Sequence, residues 1–348
     1  MCRYIIIATV LLMPLQLNAQ DLPSAEELLD RCSVSMDRLR FLILKGELQI
    51  DMRRSLALTG PAKPGATGTG KMYKSFEVRS DGQRVAQRSY YWGNVKSLKQ
   101  AIPADKPAYL SSLWDGTYYI RYSRGSNGQG RVVLNGKQSD YEIRRLQQGH
   151  SGAFGVAAGT TRRLDKIMKG ARNVSVQRRV RPEEPSPLYV LATDTKHGHY
   201  TVHLDPEHGC LPAYVKVKLK AGQGHKFYGR SFDEAGKELT WELWNLKFKK
   251  IHDSWLPVET EQRYKRLYTR DNFEDNKTHT RITEITLNPD HAALNSFYPD
   301  DVRDGTPVFL RNVELKKESD TFTWQDEKVV DDKGQVVLDP KSKKVRGR

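Results

Sequence analysis

Cysteine is scarce, with three in 348 residues, and Cys2 stands ahead of the first apolar run. The two that follow, Cys32 and Cys210, are too few for a disulfide scaffold, so a hydrophobic core must hold the fold. Whether they pair with each other or stay free is open on the sequence. Long apolar runs are missing too. The stretch from Ile5 to Met13 is nine residues, about half of the roughly 20 that a bilayer-spanning helix needs, which excludes a retained membrane anchor. With Arg3 before it and Leu17-Asn18-Ala19 after it, the run reads as an export signal over residues 1–19, cleaved after Ala19. No cysteine stands at the cleavage point to take a lipid. Acidic residues are also in deficit, 42 against 57 Lys and Arg. Removal of Arg3 with the signal lowers the formal net charge from +15 to +14. Such a chain favours anionic partners, including an anionic membrane surface. No nucleic-acid motif accompanies the charge, so nucleic acid is excluded as a partner. A periplasmic or secreted monomer is expected.

The mature chain opens on a helix signal. Ser24 followed by Glu27 forms a capping box, each satisfying a backbone N–H at the helix start. Leu28, Cys32, Met36 and Leu39 then recur at spacings of four and three, which puts them on one face of an amphipathic helix. That helix is expected to fold back beside the first strand as a lid or wall. From Phe41 onward the period is two. Ser80-Asp81-Gly82 marks a hairpin, Asp115-Gly116 opens the next strand, and Asn135-Gly136 marks another turn. Tyr118, Ile120 and Tyr122 alternate with Tyr119 and Arg121; Val215, Val217 and Leu219 alternate with lysines. Trp244, Leu246 and Phe248 repeat the pattern. Consecutive strands without intervening helices predict a mainly β (α+β) fold, with one large curved antiparallel sheet. The segment from Gly149 to Gly159 reads as a connector, followed by a short helix within Thr160 to Met168. Past Val308 the chain turns polar. Residues 20–311 form the expected domain, and 312–348 an extension with a last hairpin and a basic disordered tail from Lys341.

Motifs for chemistry are also lacking. His197, His199, His203, His208 and Cys210 resemble a metal cluster. On a strand, however, His199 and His203 stand about 13 Å apart at about 3.3 Å per residue, too far to share one zinc. His150-Ser151-Gly152 has no nucleophile elbow around it. No acid/base pair stands out, so no catalytic residue, metal or cofactor is expected and the protein is read as a non-enzyme. The nine residues Tyr118, Ile120, Tyr122, Val215, Val217, Leu219, Trp244, Leu246 and Phe248 either pack as ordinary core or line an apolar cavity.

In order, the chain carries a signal peptide, the helix from Ala25 to Leu39, Trp114-Asp115-Gly116-Thr117-Tyr118-Tyr119, and Leu204-Asp205-Pro206-Glu207-His208-Gly209-Cys210-Leu211-Pro212. Asp253-Ser254-Trp255-Leu256-Pro257 and Phe297-Tyr298-Pro299-Asp300-Asp301-Val302 follow. In this order the chain resembles the LolA/LolB-like envelope proteins, periplasmic lipoprotein carriers and their RseB-type regulatory relatives. The resemblance implies an unclosed half-barrel with a helical lid over an apolar cavity that receives acyl chains. It also implies lipid or an acylated protein (lipoprotein) as ligand. The chain exceeds the minimal carriers by the insertion from Ser55 to Gly70 and by its C-terminal extension. A regulatory module that binds a membrane-protein partner is the alternative, with Phe322 and Trp324 of the extension as the contact.

Overall fold

The computed structural model describes residues 22–55, 66–94, 107–136, 163–180, 186–196, 198–221, 223, 238–268, 272–313, 321–341 and 344–345. The signal segment, the connector from Gly149 to Gly159, His150, His197 and the end of the basic tail lie outside them.

Helix α1 (Ala25–Asp37) starts where the capping box places it, with the Glu27 backbone N–H donating to Ser24 Oγ at 3.1 Å. Strands follow: β1 (Phe41–Ser55), β2 (Thr67–Asp81), β3 (Val85–Asn94), β4 (Ala108–Trp114), β5 (Tyr119–Arg124) and β6 (Gly130–Asn135). A short helix α2 (Leu164–Lys169) precedes β7 (Ser175–Arg179), β8 (Leu188–Thr195), β9 (Gly198–Asp205) and β10 (Leu211–Lys220). The long strands β11 (Glu238–Ile251), β12 (Ser254–Leu267) and β13 (Phe273–Leu287) come next. The chain closes with β14 (Thr306–Arg311), β15 (Phe322–Gln325), β16 (Lys328–Asp331), β17 (Val336–Asp339) and β18 (Lys344–Val345).

Pairing orders the main sheet as β7, β8, β9, β10, β11, β12, β13, β1, β2, β3, β4, β5, β6, β14. Every pair is antiparallel except β6 with β14, which is parallel. The first strand therefore sits in the middle, clasped between β2 and β13 over most of its length. Among the described residues β7 does not pair with β14, so the sheet is unclosed. The architecture is mostly β, with few helices and those on one face.

Two cores lie on opposite faces. Under α1 and α2, Leu28, Cys32 and Met36 join Leu42, Leu44, Tyr200, Val202, Val215, Val217 and Trp241. On the other face Ile120, Tyr122, Val132 and Leu134 join Trp324, Val329 and Leu338 of the closing strands. Strands β3 to β5 serve both: Val85, Trp114 and Tyr119 turn to the helices, Ala86, Leu113 and Ile120 away from them. Gly46 makes the helix-side packing possible at mid-sheet, because an added Cβ there would stand 2.6 Å from both the Phe76 ring and the Arg281 carbonyl. The tail differs from expectation where Lys344–Val345 forms a strand against β17.

Helix α1 docks chiefly on α2 and β10, and its buried face shares one core with Leu42 and Leu44 of β1. A clasp ties its polar side to α2. Arg163 donates to Asp165 at 2.8 Å and to the Ser33 carbonyl at 3.2 Å, while the Ser33 hydroxyl bonds Asp165 and Lys169 pairs with Asp30. Burial pushes the Asp165 carboxyl up, but the bonds from Arg163 and Ser33 outweigh it and hold the group below its ordinary value. A carboxyl depressed on folding stabilises the native state above its unfolded pKa of about 3.9, and the contribution disappears as pH falls through the lower folded value. Asp165→Asn is therefore expected to lower the urea midpoint at pH 7 while flattening the acid limb below about pH 4. An acid limb identical to that of the parent protein would show that this carboxylate does not couple folding to protons.

Candidate functional site

Alternation along the central strands divides their residues between the two faces, and register lines them up in rows on the helix-bearing side. One row runs Tyr91, Lys74, Leu48, Thr280, Thr260 across β3, β2, β1, β13 and β12. The next runs Gly93, Met72, Ile50, Thr278, Gln262 and Leu243, ending on β11. A third runs Gly70, Met52, Asn276, Tyr264 and Trp241. Leu48, Ile50, Met52 and Met72 thus make an apolar stripe on β1 and β2 beside a polar stripe of Thr260, Gln262, Asn276, Thr278 and Thr280. The four apolar side chains are only half-buried, whereas Leu42 and Leu44 farther along the same face of β1 are buried.

Charge and aromatic rings border the stripe. The Lys74 ammonium lies 5.7 Å from the Phe76 ring centroid and 5.3 Å from that of Tyr91, a cation–π arrangement on the same face. Trp241 Nε1 donates to Gln262 Oε1 at 3.3 Å. Burial pushes the Tyr264 hydroxyl up to about 12, so it stays a neutral donor at physiological pH. The arrangement presents an apolar track flanked by hydroxyls, amides and a cation, and it contains no nucleophile paired with a base.

The residues singled out by sequence do not share one surface. Val215, Val217 and Leu219 are buried against the helices, at 3 % exposure or less. Tyr118, Ile120 and Tyr122 do face one way together, but on the side away from the helices, packed in the core with Trp324. Trp244, Leu246 and Phe248 are split by a bulge. Asn245 takes φ +52° and the β11–β12 register shifts there, so Trp244 pairs with Glu261 on the outer face while Leu246 and Phe248 pack toward the helix-side core. Phe248 stacks on His208 at 4.3 Å, Trp255 meets the same imidazole edge-on at 4.6 Å, and His208 Nδ1 stands 2.9 Å from Asp205 Oδ2. Leu28, Cys32, Met36 and Leu39 are buried in the core that carries Val215 and Val217. His199 pairs with Asp194 at 3.0 Å, and the His203 ring lies tilted against Tyr214 with centroids 4.7 Å apart. Burial, with Arg179 nearby, depresses the His203 imidazole to about 4 and keeps it neutral. The half-exposed stripe on β1 and β2 was missed. Its signal was present in Leu48, Ile50 and Met52 at a spacing of two, yet nothing local said that their face lies beyond the reach of the helices.

No family model matches the chain, and no curated protein does. Among solved structures it is similar to MucB in complex with MucA(peri), at 10% identity and a TM-score of 0.21 over 76% of this chain and 98% of that one. It is also similar to a Rhodopseudomonas blastica porin triple mutant, at 8% identity and a TM-score of 0.21 over 70% of this chain and 100% of that one. At these scores neither likeness carries an argument, and function has to be read from the chain's own geometry. Among the described residues no helix is long and apolar enough to cross a membrane.

Proposed function

We propose that the protein is an exported, non-enzymatic binding protein that takes an amphiphile, a lipid or the acyl chain of an acylated protein, on the helix-bearing face of its unclosed sheet. The half-exposed stripe of Leu48, Ile50, Met52 and Met72 beside a hydroxyl and amide stripe carries this reading. An acyl chain laid on the apolar stripe leaves water at about 0.8 kcal/mol per methylene, and its polar end meets the half-exposed Gln262, Asn276 and Thr280. In this reading α1 is a lid, and the sheet is a half-barrel of the LolA-like kind. Val215, Val217 and Leu219 become ligand contacts only if α1 lifts from β10.

The regulatory alternative, binding a membrane-protein partner through the extension, loses its main contact because Trp324 is fully buried, while Phe322 is half-buried. The test uses delipidated protein and a fluorescent long-chain fatty acid. Ile50→Asp is expected to leave the melting temperature within a few degrees of the parent's and to weaken the probe more than tenfold. Loss of contact with two methylenes, about 1.6 kcal/mol, is enough for that factor. Binding undiminished in Ile50→Asp, or absent in the parent protein, would sink the proposal.

A further inference from the structure

The clearest feature that ligand binding does not use is a pair of thiols. Cys32 and Cys210 are 178 positions apart in sequence, and both are buried in the helix-side core, at 1 % and 0 % exposure. Their backbones are brought together by a specific bond. Ser35, one turn beyond Cys32 on α1, donates from its hydroxyl to the Gly209 carbonyl at 2.6 Å, and Cys210 is the next residue. The approach is so close that an added Cβ on Gly209 would meet Ser35 Oγ at 2.6 Å. Residues three apart on a helix share a face, so Cys32 is set above the turn that Cys210 ends. Cys210 itself is held at φ +59°, and its N–H donates to the Asp205 carbonyl at 2.7 Å, which fixes the turn. Each thiol is free in the structure.

We infer that Cys32 and Cys210 are a redox pair whose disulfide latches α1 to the β9–β10 turn. This extends the reading above and rests only on its claim of export, since an oxidising compartment favours the bond. The oxidant is a disulfide of low molecular weight or of a thiol oxidoreductase. One cysteine, as thiolate, attacks that disulfide to give a mixed disulfide and releases one thiol. The second cysteine then displaces the other thiol, so two cysteine sulfurs are oxidised, one external disulfide is reduced, and two protons pass to the leaving thiols. Burial pushes both thiols above the ordinary cysteine value, which suppresses the thiolate and makes the folded, closed form slow to react. The bond therefore forms during folding or while α1 is lifted, and afterwards it holds the helix down.

The full chain is reduced and unfolded in denaturant, refolded by dilution into a glutathione redox buffer, blocked with an alkylating reagent in denaturant, digested without reductant and mapped by mass spectrometry. The expected result is a cross-linked peptide containing Cys32 and Cys210, absent after reduction, with a melting temperature several degrees higher for the oxidised form. Cys32→Ser should abolish the cross-link and that rise without abolishing folding. Recovery of both residues as separately alkylated peptides, as glutathione adducts, or joined to Cys2 would overturn the inference. Because the oxidation is done on purified protein, a negative map indicts the geometry; a positive map with reduced thiols in protein taken from cells indicts the export claim.

Discussion

Trp324→Ala is expected to cost about 3–5 kcal/mol of folding stability, the range for removing a buried aromatic side chain. Trp324 is completely buried among Ile120, Tyr122, Val132, Val329 and Leu338, at the seam between the closing strands and the outward face of β3 to β6. Its deletion opens a cavity in that core. Trp324→Phe should cost much less. The indole N–H has no partner among the described residues, so phenylalanine removes an unsatisfied donor along with some volume. Urea unfolding of the two variants makes the comparison. Similar small losses in both would show that the C-terminal strands are an appendage and not part of the core. Phe297 and Tyr298 reinforce the same seam: Tyr298 donates to the Glu327 carbonyl at 3.0 Å, and the Tyr109 hydroxyl reaches Asp301 at 2.6 Å. An extension that looks polar in sequence is structural because Trp324, Val329 and Leu338 of its strands belong to the core that holds Ile120 and Val132.

Met36→Asp has the second largest expected effect. Met36 is 4 % exposed on the underside of α1, so a carboxylate there is desolvated without a partner, at a cost of several kcal/mol if the helix stays docked. A helix that lifts readily escapes that cost by presenting the new charge to water. The two cases separate when stability and probe binding are measured together. A large fall in melting temperature identifies a fixed wall. A small fall with loss of probe retention identifies a lid. A variant normal in both would show that α1 does not rest on β10 in solution. Outer-face changes serve as controls, because the exposed pairs Lys45 with Glu284 and Arg281 with Glu47 are each worth about 0–1 kcal/mol.

The sequence by itself determined the elements whose signals are local. Ser24 and Glu27 set the start of α1, Ser80-Asp81-Gly82 set the β2–β3 hairpin, and the one-sided alternation of Val215, Val217 and Leu219 set the buried face of β10. It did not reveal β4, because Ala108–Trp114 is buried on both faces and so shows no alternation to read. It could not foresee the bulge at Asn245, where one positive φ transfers Leu246 and Phe248 to the face opposite Trp244. Parity says which side chains share a face and never which face meets the helices. Tertiary structure alone decided that Tyr119 turns to α1 while Tyr118, Ile120 and Tyr122 turn to Trp324, that β14 returns in parallel beside β6, and that Leu48, Ile50 and Met52 are left half-exposed. Those outcomes depend on partners more than 200 residues away in the chain, as with Ile120 and Trp324, and on the limited reach of the described helices across a wide sheet.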